Sequence, residues 1–431
     1  METIGTSRSR FSPRGAERLA LVAEDLVQHL AAEVGKGFPA DVALARFFKA
    51  HHELGSRDRR FLSELSFSFF RWRGWLDSIA IENPRRAFAI AYYLDATTEH
   101  PAAEVLARDS FPSPQPLGDA SLDNKARAVS TWMGGTKLNV EMLLPEWVRG
   151  AIPASDHPDD CFQRCVDSFQ RRPPTWLHLL AGREASVLRA LDQAGVRATQ
   201  HAHIPGAASV PGSSPLRSLP ADIRAGFLVQ DLASQCVALA CAPNAGDHWW
   251  DVCAGSGGKS LHLADLMRDS GKVMAGDIRS GILDELRRRA REAGLRSVRV
   301  GKPTGETLFD GVLVDAPCSG LGTWSRNPDA RWRTAASTLA ERARIQTGLL
   351  TSAAQHVRPG GVMVYSVCTL TTVETADVVA AFLTKDARFM PEPWKNPLVP
   401  DAAPAACQWI WPWDGPCDGM FVARFRRKLA D

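Results

Sequence analysis

The N-terminal third of the chain carries apolar residues at helical spacing. From residue 16 to about residue 50 they recur every three or four positions, with a break at residues 37–39. A second run begins at Ser56, whose hydroxyl is a candidate N-cap. This run contains Phe61, Phe69, Phe70, Trp72 and Trp75, which we expect to lie in a core. The pattern predicts an all-α helical bundle.

The middle of the chain has a different pattern. The segment FPSPQPLG at 111–118 is too rich in proline for regular structure, and PEWV from Pro145 begins another capped segment, so a domain boundary is expected here. From Pro173 a strand-like PTWLHLL, a helical EASVLRALDQAG and a stretch rich in proline, glycine and serine follow in order. This part is predicted to be a small α/β module.

After Gln235, short apolar runs alternate with amphipathic segments, which is typical of a parallel sheet with crossover helices. The predicted strands are WWDVCA, KVMAGDI, SVRVGK, DGVLVDA, GVMVYSVC and FVARFRR. The predicted helices are LHLADLMRD, SGILDELRRRAREAG, TLAERARIQTGLLTSAAQHV and ETADVVAAFL. We therefore expect three domains: a helical bundle over 1–144, a small α/β module over 145–235 and a doubly wound, Rossmann-like α/β domain over 236–431.

Composition narrows the class of protein only slightly. With 51 Lys and Arg against 48 Asp and Glu in 431 residues, any nucleic-acid surface must be a local cluster. The nine cysteines contain no CxxC pair, and no apolar stretch approaches the ~20 residues that span a bilayer. His201 and His203 have no third ligand at useful spacing. We expect a cytoplasmic protein without a metal or a membrane segment.

A glycine-rich turn follows the first predicted strand of the third domain. Residues 251–260 read DVCAGSGGKS, and a P-loop is excluded because Cys253 stands where that motif needs its first glycine. About 20 residues on, Asp277 ends the next predicted strand, where a carboxylate can accept hydrogen bonds from a ribose. The alternative for Asp277 is an N-cap ahead of Ser280. Loop and acid together predict an adenosine ligand.

Two cysteines follow neighbouring strands. Cys318 lies in DAPCSG and Cys368 in YSVCT, at the sheet edge where open α/β sheets bind ligands. Carbon 5 of cytosine attacks a methyl sulfonium only after a thiolate has added to carbon 6, and a second group must then remove the proton on carbon 5. Asp315 can hydrogen-bond to and protonate the ring nitrogen as negative charge develops, and Lys259 can add positive potential. For Cys161, Cys165, Cys236 and Cys241, which lie in helix-like segments, we expect packing roles.

These motifs resemble those of the RsmB/Nop/Sun family of RNA cytosine-5 methyltransferases, whose fold is a class I methyltransferase domain. The resemblance rests on DVCAGSGGKS, GDIRSGILDELRRRA, VLVDAPCSGLGTW, YSVCTL, GFLVQDLASQ and CDGMFVARF, and SRDRRFLSEL resembles the NusB-like domain of the bacterial branch. It implies that Cys368 is the nucleophile and Cys318 the residue that releases product, with Asp315 and Lys259 as further catalytic residues. It also implies that S-adenosyl-L-methionine is bound by Cys253, Ala254, Gly255, Ser256, Gly257, Gly258, Lys259, Asp277 and Asp315. The implied partner is RNA, by analogy ribosomal RNA, and we expect a monomer.

The sequence departs from the family pattern at several positions. Gly255 and Ser256 stand where alanine and proline are usual, Val367 replaces a threonine and Thr375 an asparagine. The segment SVRVGKPTGETLFDG lacks the aspartate expected to contact adenine, and the histidine of WLHLL replaces an arginine. These departures bear on cofactor affinity and on how the middle module holds RNA. They keep open a second hypothesis, a non-catalytic RNA-binding or ribosome-assembly factor with a degenerate cofactor pocket.

Basic residues suggest where RNA binds. Arg57, Arg59 and Arg60, with Arg71 and Arg73, are interleaved with the aromatics of the second helical run and are candidates for phosphate contacts. A second basic cluster at Arg424 and 426–428 is as well explained by a solvated strand end.

Overall fold

The chain forms two compact units in the computed structural model, which describes residues 12–108, 111, 114–153, 161–212 and 214–429. The helical unit comprises Met1–Trp147, Cys165–Gln170 and Asn327–Thr334. The sheet unit comprises Val148–Arg164, Arg171–Arg326 and Ala335–Asp431. The division into domains 1–144, 145–235 and 236–431 stays a prediction.

Helices build the described part of the helical unit. They are α1 (Pro13–Gly35), α2 (Ala40–Ala50), α3 (Ser56–Glu82), α4 (Pro84–Asp95), α5 (Pro101–Ala107) and α6 (Leu122–Trp132), and α7 (Trp147–Ala151) and α8 (Cys161–Phe169) follow. The predicted break lies between α1 and α2, where Gly37 has a φ of 94°. The capping role predicted for Ser56 is wrong, because Ser56 is already in the first turn. Gly55 is the N-cap, and Asp58 Oδ2 accepts its N–H at 3.1 Å.

The aromatic side chains of α3 pack inside the helical unit. Phe61, Phe69, Phe70, Trp72 and Trp75 are all buried, which confirms the core role predicted for them. Because α3 is 27 residues long and buries side chains around much of its circumference, it is the central helix of this unit.

Two buried arginines join segments of the helical unit. Arg71 is 4% exposed and paired with Asp95, so its predicted place among RNA-facing arginines is wrong. Arg331 is fully buried and donates to the carbonyl oxygens of Arg71, Leu143 and Phe169. A guanidinium carries several donors in a fixed geometry, so one that binds carbonyls from separate segments holds those segments at a defined spacing.

The small sheet of the sheet unit has four antiparallel strands. They are β1 (Thr175–Leu179), β2 (Thr199–Gln200), β3 (Ala207–Val210) and β4 (Phe227–Val229), in the order β2-β3-β1-β4. Helix α9 (Glu184–Gln193) buries Val187 and Leu191 against it, and α10 (Ala221–Arg224) precedes β4. The strand and helix predicted after Pro173 are both present.

The large sheet has eight strands, of which five are parallel. They are β5 (His248–Asp251), β6 (Lys272–Ala275), β7 (Val298–Val300), β8 (Phe309–Asp315), β9 (Val357–Val367), β10 (Phe389–Pro391), β11 (Cys407–Ile410) and β12 (Met420–Arg427). The order is β10-β12-β9-β8-β5-β6-β7, with β11 also on β12. Strands β5 to β9 are parallel, and β12 is antiparallel to β9. The six predicted strands are present, and β10 and β11 were not predicted.

The strand order reverses beside β5. The chain passes from β5 to β6 on one side, and β8 lies on the other side of β5. At such a switch point the loops after the two strands diverge and leave a crevice at their carboxyl ends. The crossover helices are α12 (Gly258–Leu266), α13 (Ser280–Ala293) and α14 (Leu339–Ala353), while α11 (Leu232–Cys241) precedes β5 and α15 (Ala376–Lys385) follows β9. The crevice therefore lies after β5, β8 and β9.

A stacked histidine pair lies between β1 and α12. His178 on β1 is 3% exposed and its ring stacks on that of His262 with centroids 3.6 Å apart. His178 Nε2 lies 2.8 Å from Asp265 Oδ2, and His262 Nδ1 lies 2.9 Å from Gln230 Oε1. His178 therefore packs against the helix that follows the glycine-rich turn. Because that side chain is buried, it has a packing role here, and the way in which the middle module holds RNA stays a prediction.

Acid is expected to destabilise the sheet unit through His262. Burial, and then the charge of His178, lowers the pKa of His262 well below its ordinary value. The unfolded chain therefore binds a proton that the folded chain does not, and stability falls by about 1.4 kcal/mol per pH unit below about pH 6.5. Urea unfolding of wild type and His262→Gln at about pH 7 and about pH 5 measures this. Equal losses in both proteins would contradict it.

Short 3-10 helices occur at Val140–Leu143, Leu216–Ser218, Leu321–Thr323, Pro328–Trp332, Ala336–Thr338, Ala354–His356 and Thr372–Glu374. No helix within the described ranges is long and apolar enough to cross a membrane.

Candidate active site

The glycine-rich turn between β5 and α12 is shaped by backbone conformation. Gly255 and Gly257 have φ values of 53° and 90°, which other residues rarely adopt. A Cβ on Gly257 would lie 2.7 Å from Leu286 Cγ. Glycine is therefore required here for space as well as for backbone conformation. The turn leads directly into the N-terminus of α12 at Gly258, whose N–H groups favour a negatively charged ligand group.

Asp277 lies two residues beyond β6 and faces this turn. Its Oδ2 accepts the N–H of Gly255 at 3.0 Å, and its Oδ1 accepts the N–H of Arg279 at 2.8 Å. The Arg279 guanidinium also binds the carboxylate, and its hydrogen bond is the main cause that lowers the pKa of Asp277. The N-cap interpretation of Asp277 is wrong, because Arg279 occupies that position before α13. Asp277 is an ionised acceptor at the mouth of the turn.

Ser256, one of the unusual residues of the turn, is held by Arg289 of α13. The guanidinium donates to Ser256 O at 2.9 Å and to Ser256 Oγ at 3.1 Å. Proline at position 256 would restrict the backbone through its ring. Here a side chain 33 residues away restricts the same segment. Sequence reasoning missed Arg289, because only the packing of α13 onto the turn brings it there.

Removing Arg289 is expected to weaken cofactor binding. A charge-assisted hydrogen bond of about 1.5 kcal/mol that preorganises the turn corresponds to an increase in Kd of about tenfold. Calorimetric titration of Arg289→Ala with S-adenosylmethionine measures this change. Arg291→Ala, which removes an exposed arginine of the same helix, is the matched control. Equal Kd values for the two variants would show that Arg289 does not organise the turn.

Asp251 lies at the end of β5, beneath the turn. It is 1% exposed, and its Oδ2 accepts the hydroxyl hydrogen of Ser260 at 2.6 Å. Its Oδ1 has no hydrogen-bond partner among the described residues. Burial raises the pKa of Asp251 to about 7. The side chain therefore supports the base of the turn and carries a polar atom that remains unsatisfied.

The two predicted cysteines meet at the carboxyl edge of β8 and β9. These strands are parallel neighbours with Asp315 paired to Ser366, so the segments that leave them run side by side. Cys318 Sγ and Cys368 Sγ lie 3.3 Å apart. Both cysteines are partly buried, whereas Cys236 and Cys241 are fully buried in α11, as expected for packing residues.

Charged groups of opposite sign act on the site of the two sulfurs. The hydrogen bond to Cys368, burial, and the charges of Cys368 and Glu374 raise the pKa of Cys318 well above its ordinary value. Lys259 Nζ lies 2.7 Å from Asp315 Oδ2. Burial lowers the pKa of Lys259, but Asp315 and then a Cys368 thiolate raise it, and the result is an upward shift. Lys259 is therefore an ammonium within electrostatic reach of Cys368.

Asp315 also binds the strand beside it. Its Oδ1 accepts the hydroxyl hydrogen of Ser366 at 2.7 Å, so each oxygen of the carboxylate has one partner. A carboxylate oxygen can accept a second hydrogen bond. The side chain is thus fixed and can still receive an N–H group of a ligand.

The predicted RNA-binding arginines have separate environments. Arg57 is exposed, and Arg60 is paired with Glu64 at 2.9 Å. Arg59 donates to the carbonyl oxygens of Leu54 and His51 and therefore stabilises the start of α3. In the C-terminal cluster, Arg424 and Arg426 are paired with Glu392. Within the described ranges no cluster of His, Cys, Asp and Glu could hold a metal ion.

The fold and this crevice define a class I, Rossmann-like methyltransferase domain. Residues 238–426 match the model of the family described as 16S rRNA methyltransferase RsmB/F. The chain is 33% identical to a probable ribosomal RNA small subunit methyltransferase B of Synechocystis over 305 residues, which are 67% of this chain and 68% of the relative. The chain belongs to the RsmB/Nop/Sun family of methyltransferases, and its cofactor is S-adenosylmethionine.

Other relatives agree over a shorter length. Ribosomal RNA small subunit methyltransferase B of Escherichia coli is 32% identical over 254 residues, so the match covers 57% of this chain and 58% of that protein. The crystal structure of PH0851 covers 97% of this chain and 99% of its own, with a TM-score of 0.73 at 21% identity. NSun6 from Pyrococcus horikoshii with SFG covers 63% of this chain and 94% of its own, with a TM-score of 0.55 at 17% identity. These two structures show the fold.

The residues of the crevice fit S-adenosylmethionine. Asp277 offers an ionised acceptor for ribose hydroxyls, and the glycine turn lets the ligand approach the backbone. The cofactor contacts expected for residues 253–259, Asp277 and Asp315 all stay predictions. No acidic side chain occurs between β7 and Glu306, so this segment lacks the acid that the resemblance leads us to expect beside adenine, and the adenine contact stays unassigned.

Proposed function

We propose that this protein methylates carbon 5 of a cytosine in ribosomal RNA, with Cys368 as the nucleophile and Cys318 as the residue that releases the product. The observation that carries the proposal is the 3.3 Å separation of the two sulfurs at the crevice that also contains the glycine turn. The relatives named ribosomal RNA small subunit methyltransferases support the choice of substrate.

The first step needs a thiolate at Cys368. Its sulfur adds to carbon 6 of the cytosine, and the electron pair of the ring double bond moves toward carbon 5. Lys259 lowers the energy of the negative charge at this stage, because its ammonium is near Cys368 and is held by Asp315. Bound S-adenosylmethionine would supply the methyl group from its sulfonium: carbon 5 would bond to that methyl group as the sulfur–methyl bond breaks, and the sulfur would leave as a neutral thioether.

Asp315 orients the base. With Lys259 and Ser366 on separate oxygens, the carboxylate is fixed and accepts a hydrogen bond from the exocyclic amino group of cytosine. Because Asp315 is paired with the Lys259 ammonium, we assign the proton that reaches the ring nitrogen to Lys259. This refines the role expected for Asp315 as a proton donor.

Cys318 completes the reaction. As a base it takes the proton from methylated carbon 5, the carbon 5–carbon 6 double bond forms again, and the sulfur of Cys368 leaves as a thiolate. The chief causes that raise the pKa of Cys318 involve Cys368. Once Cys368 is a neutral thioether, its charge no longer opposes ionisation of Cys318, so the Cys318 thiol loses its proton more readily and is available as a thiolate base when that base is needed.

RNA recognition is assigned to the N-terminal helices and the small sheet. We propose that the helices form a NusB-like domain and that Arg57 and Arg60 contact phosphates, since Arg59 is engaged with main-chain carbonyls. A monomer in the cytoplasm remains part of the proposal. The competing hypothesis is a non-catalytic RNA-binding factor with a degenerate cofactor pocket.

Incubation with methyl-labelled S-adenosylmethionine and unmodified small-subunit ribosomal RNA tests the proposal. Nuclease digestion should give label in 5-methylcytidine alone, and calorimetry should detect binding of the cofactor. Bisulfite sequencing of the product then identifies the cytosine. Label in another nucleoside would overturn the chemistry, and RNA binding without cofactor binding would favour the non-catalytic factor.

A further inference from the structure

Glu374 is a fully buried acid between the two segments that carry the cysteines. Its Oε1 accepts the N–H of Ser319 at 2.8 Å and the side-chain amide of Gln346 at 3.1 Å. Its Oε2 accepts the hydroxyls of Ser319 at 2.5 Å and Thr371 at 2.9 Å. One carboxylate therefore binds segment 316–320, segment 368–371 and α14.

The hydroxyl groups extend this connection to the neighbours of both cysteines. Ser319 has one hydroxyl hydrogen, and the short distance to Glu374 assigns that hydrogen to the carboxylate. Thr369 therefore donates to Ser319 Oγ, at 2.8 Å. Ser319 follows Cys318 in the chain and Thr369 follows Cys368. The hydrogen bonds thus run from one cysteine's neighbour to the other's.

Burying a carboxylate among neutral donors costs desolvation free energy that an apolar side chain packing the same loops would not cost. None of the hydrogen-bond partners of Glu374 among the described residues is positively charged. Desolvation of the charge opposes folding unless every oxygen is well satisfied. Four donors within 3.1 Å of the carboxylate oxygens converge from three segments, and Thr369 Oγ1 adds a longer contact at 3.4 Å from Oε2. Such an arrangement defines position more sharply than an apolar contact does.

We propose that Glu374 is a positioning residue that holds segment 316–320 against segment 368–371 and thereby sets the separation of the two sulfurs. The proposal rests on the proposed function, in which both sulfurs act on one cytosine. Glu374 also acts by charge, because it is among the causes that raise the pKa of Cys318.

Oxidative cross-linking measures the sulfur separation without RNA or cofactor. Diamide accepts two electrons and two protons from a pair of thiols, becomes a hydrazine and leaves a disulfide. Because disulfide geometry is restrictive, the rate of Cys318–Cys368 cross-linking should fall about tenfold in Glu374→Ala. Peptide mass spectrometry identifies the pair. Glu341→Ala, an exposed acid on α14, is the matched control and should cross-link at the wild-type rate.

Kinetics and a conservative variant separate positioning from general damage. In Glu374→Ala, kcat should fall about 100-fold while Kd for S-adenosylmethionine changes less than about twofold. Glu374→Gln keeps the shape and can rebuild the hydrogen bonds if the hydroxyls of Ser319 and Thr371 turn to accept. It should therefore recover the cross-linking rate to within about threefold of wild type. Wild-type cross-linking or wild-type kcat in Glu374→Ala would overturn the proposal.

A second variant is available if Glu374→Ala does not fold. Ser319→Ala removes the hydroxyl between Glu374 and Thr369, and its cross-linking rate should fall about threefold. An unchanged rate in Ser319→Ala would then overturn the proposal. Absence of methyl transfer by wild type would count against the proposed function alone, because the cross-linking result does not depend on it.

Discussion

Replacing Cys368 with alanine is expected to lower methyl transfer to RNA by about 10⁴-fold or more, because no covalent bond to carbon 6 can form and carbon 5 then stays a poor nucleophile. Binding of S-adenosylmethionine should be unchanged, since the glycine turn and Asp277 are untouched. Transfer of label from the cofactor to RNA, measured in single turnover, gives the rate.

The control for this variant is Cys407→Ala, which removes a partly buried cysteine of β11. It should methylate RNA at the wild-type rate. A Cys368→Ala protein with more than about a tenth of wild-type activity would show that this thiol is not the nucleophile. Loss of activity in both variants would point to general sensitivity to cysteine replacement.

Replacing Cys318 with alanine should trap the covalent complex with RNA, whereas replacing Cys368 prevents that complex from forming. The methyl group is transferred, but the proton on carbon 5 is not removed, so the bond between Cys368 and carbon 6 persists. Protein and RNA should migrate together on a denaturing gel, with most of the protein shifted when RNA is in excess. Turnover should fall at least about 10³-fold, the range expected when a general base is lost.

The double variant Cys318→Ala with Cys368→Ala is the control for this adduct and should give no shifted band. If the double variant still joins RNA, another residue forms the bond. If Cys318→Ala turns over normally, release uses a different base, and the 3.3 Å contact between the two sulfurs has another purpose.

The hydrophobic pattern predicts the large sheet well because buried parallel strands have a strong sequence signal. A strand buried on both faces is a continuous apolar run, so β8 and β9 are recognisable, and the residues that follow them, Cys318 and Cys368, are placed at one edge by topology alone. Strands β10 and β11 are three and four residues long and lie at the antiparallel side, which leaves no comparable signal.

Residues that act through distant contacts could not be predicted. Arg289 reaches Ser256 only because α13 packs on the turn, and Glu374 lies between two segments whose proximity is a result of the fold. Neither position has a periodicity or motif of its own. Arg71 shows the opposite kind of error. The sequence groups it with basic residues predicted to contact RNA, but its position on α3 directs its side chain into the interior, where it pairs with Asp95.

The unusual turn residues have a physical counterpart in the structure. Ser256 loses the restriction that proline would impose, and Arg289 supplies hydrogen bonds to the same residue. This favours a cofactor site that is organised by different contacts over one that is degenerate. No comparable residue replaces the aspartate expected to contact adenine, because the segment after β7 has no acidic residue before Glu306.

The most direct test of Cys368 as the nucleophile is to identify the residue that is bonded to RNA. Cys318→Ala is incubated with ribosomal RNA and S-adenosylmethionine, the complex is digested with nuclease and protease, and the modified peptide is sequenced by mass spectrometry. We expect a methylated cytidine nucleotide on Cys368. A nucleotide on any other residue, or an unmodified Cys368 in protein that has methylated its RNA, would contradict it.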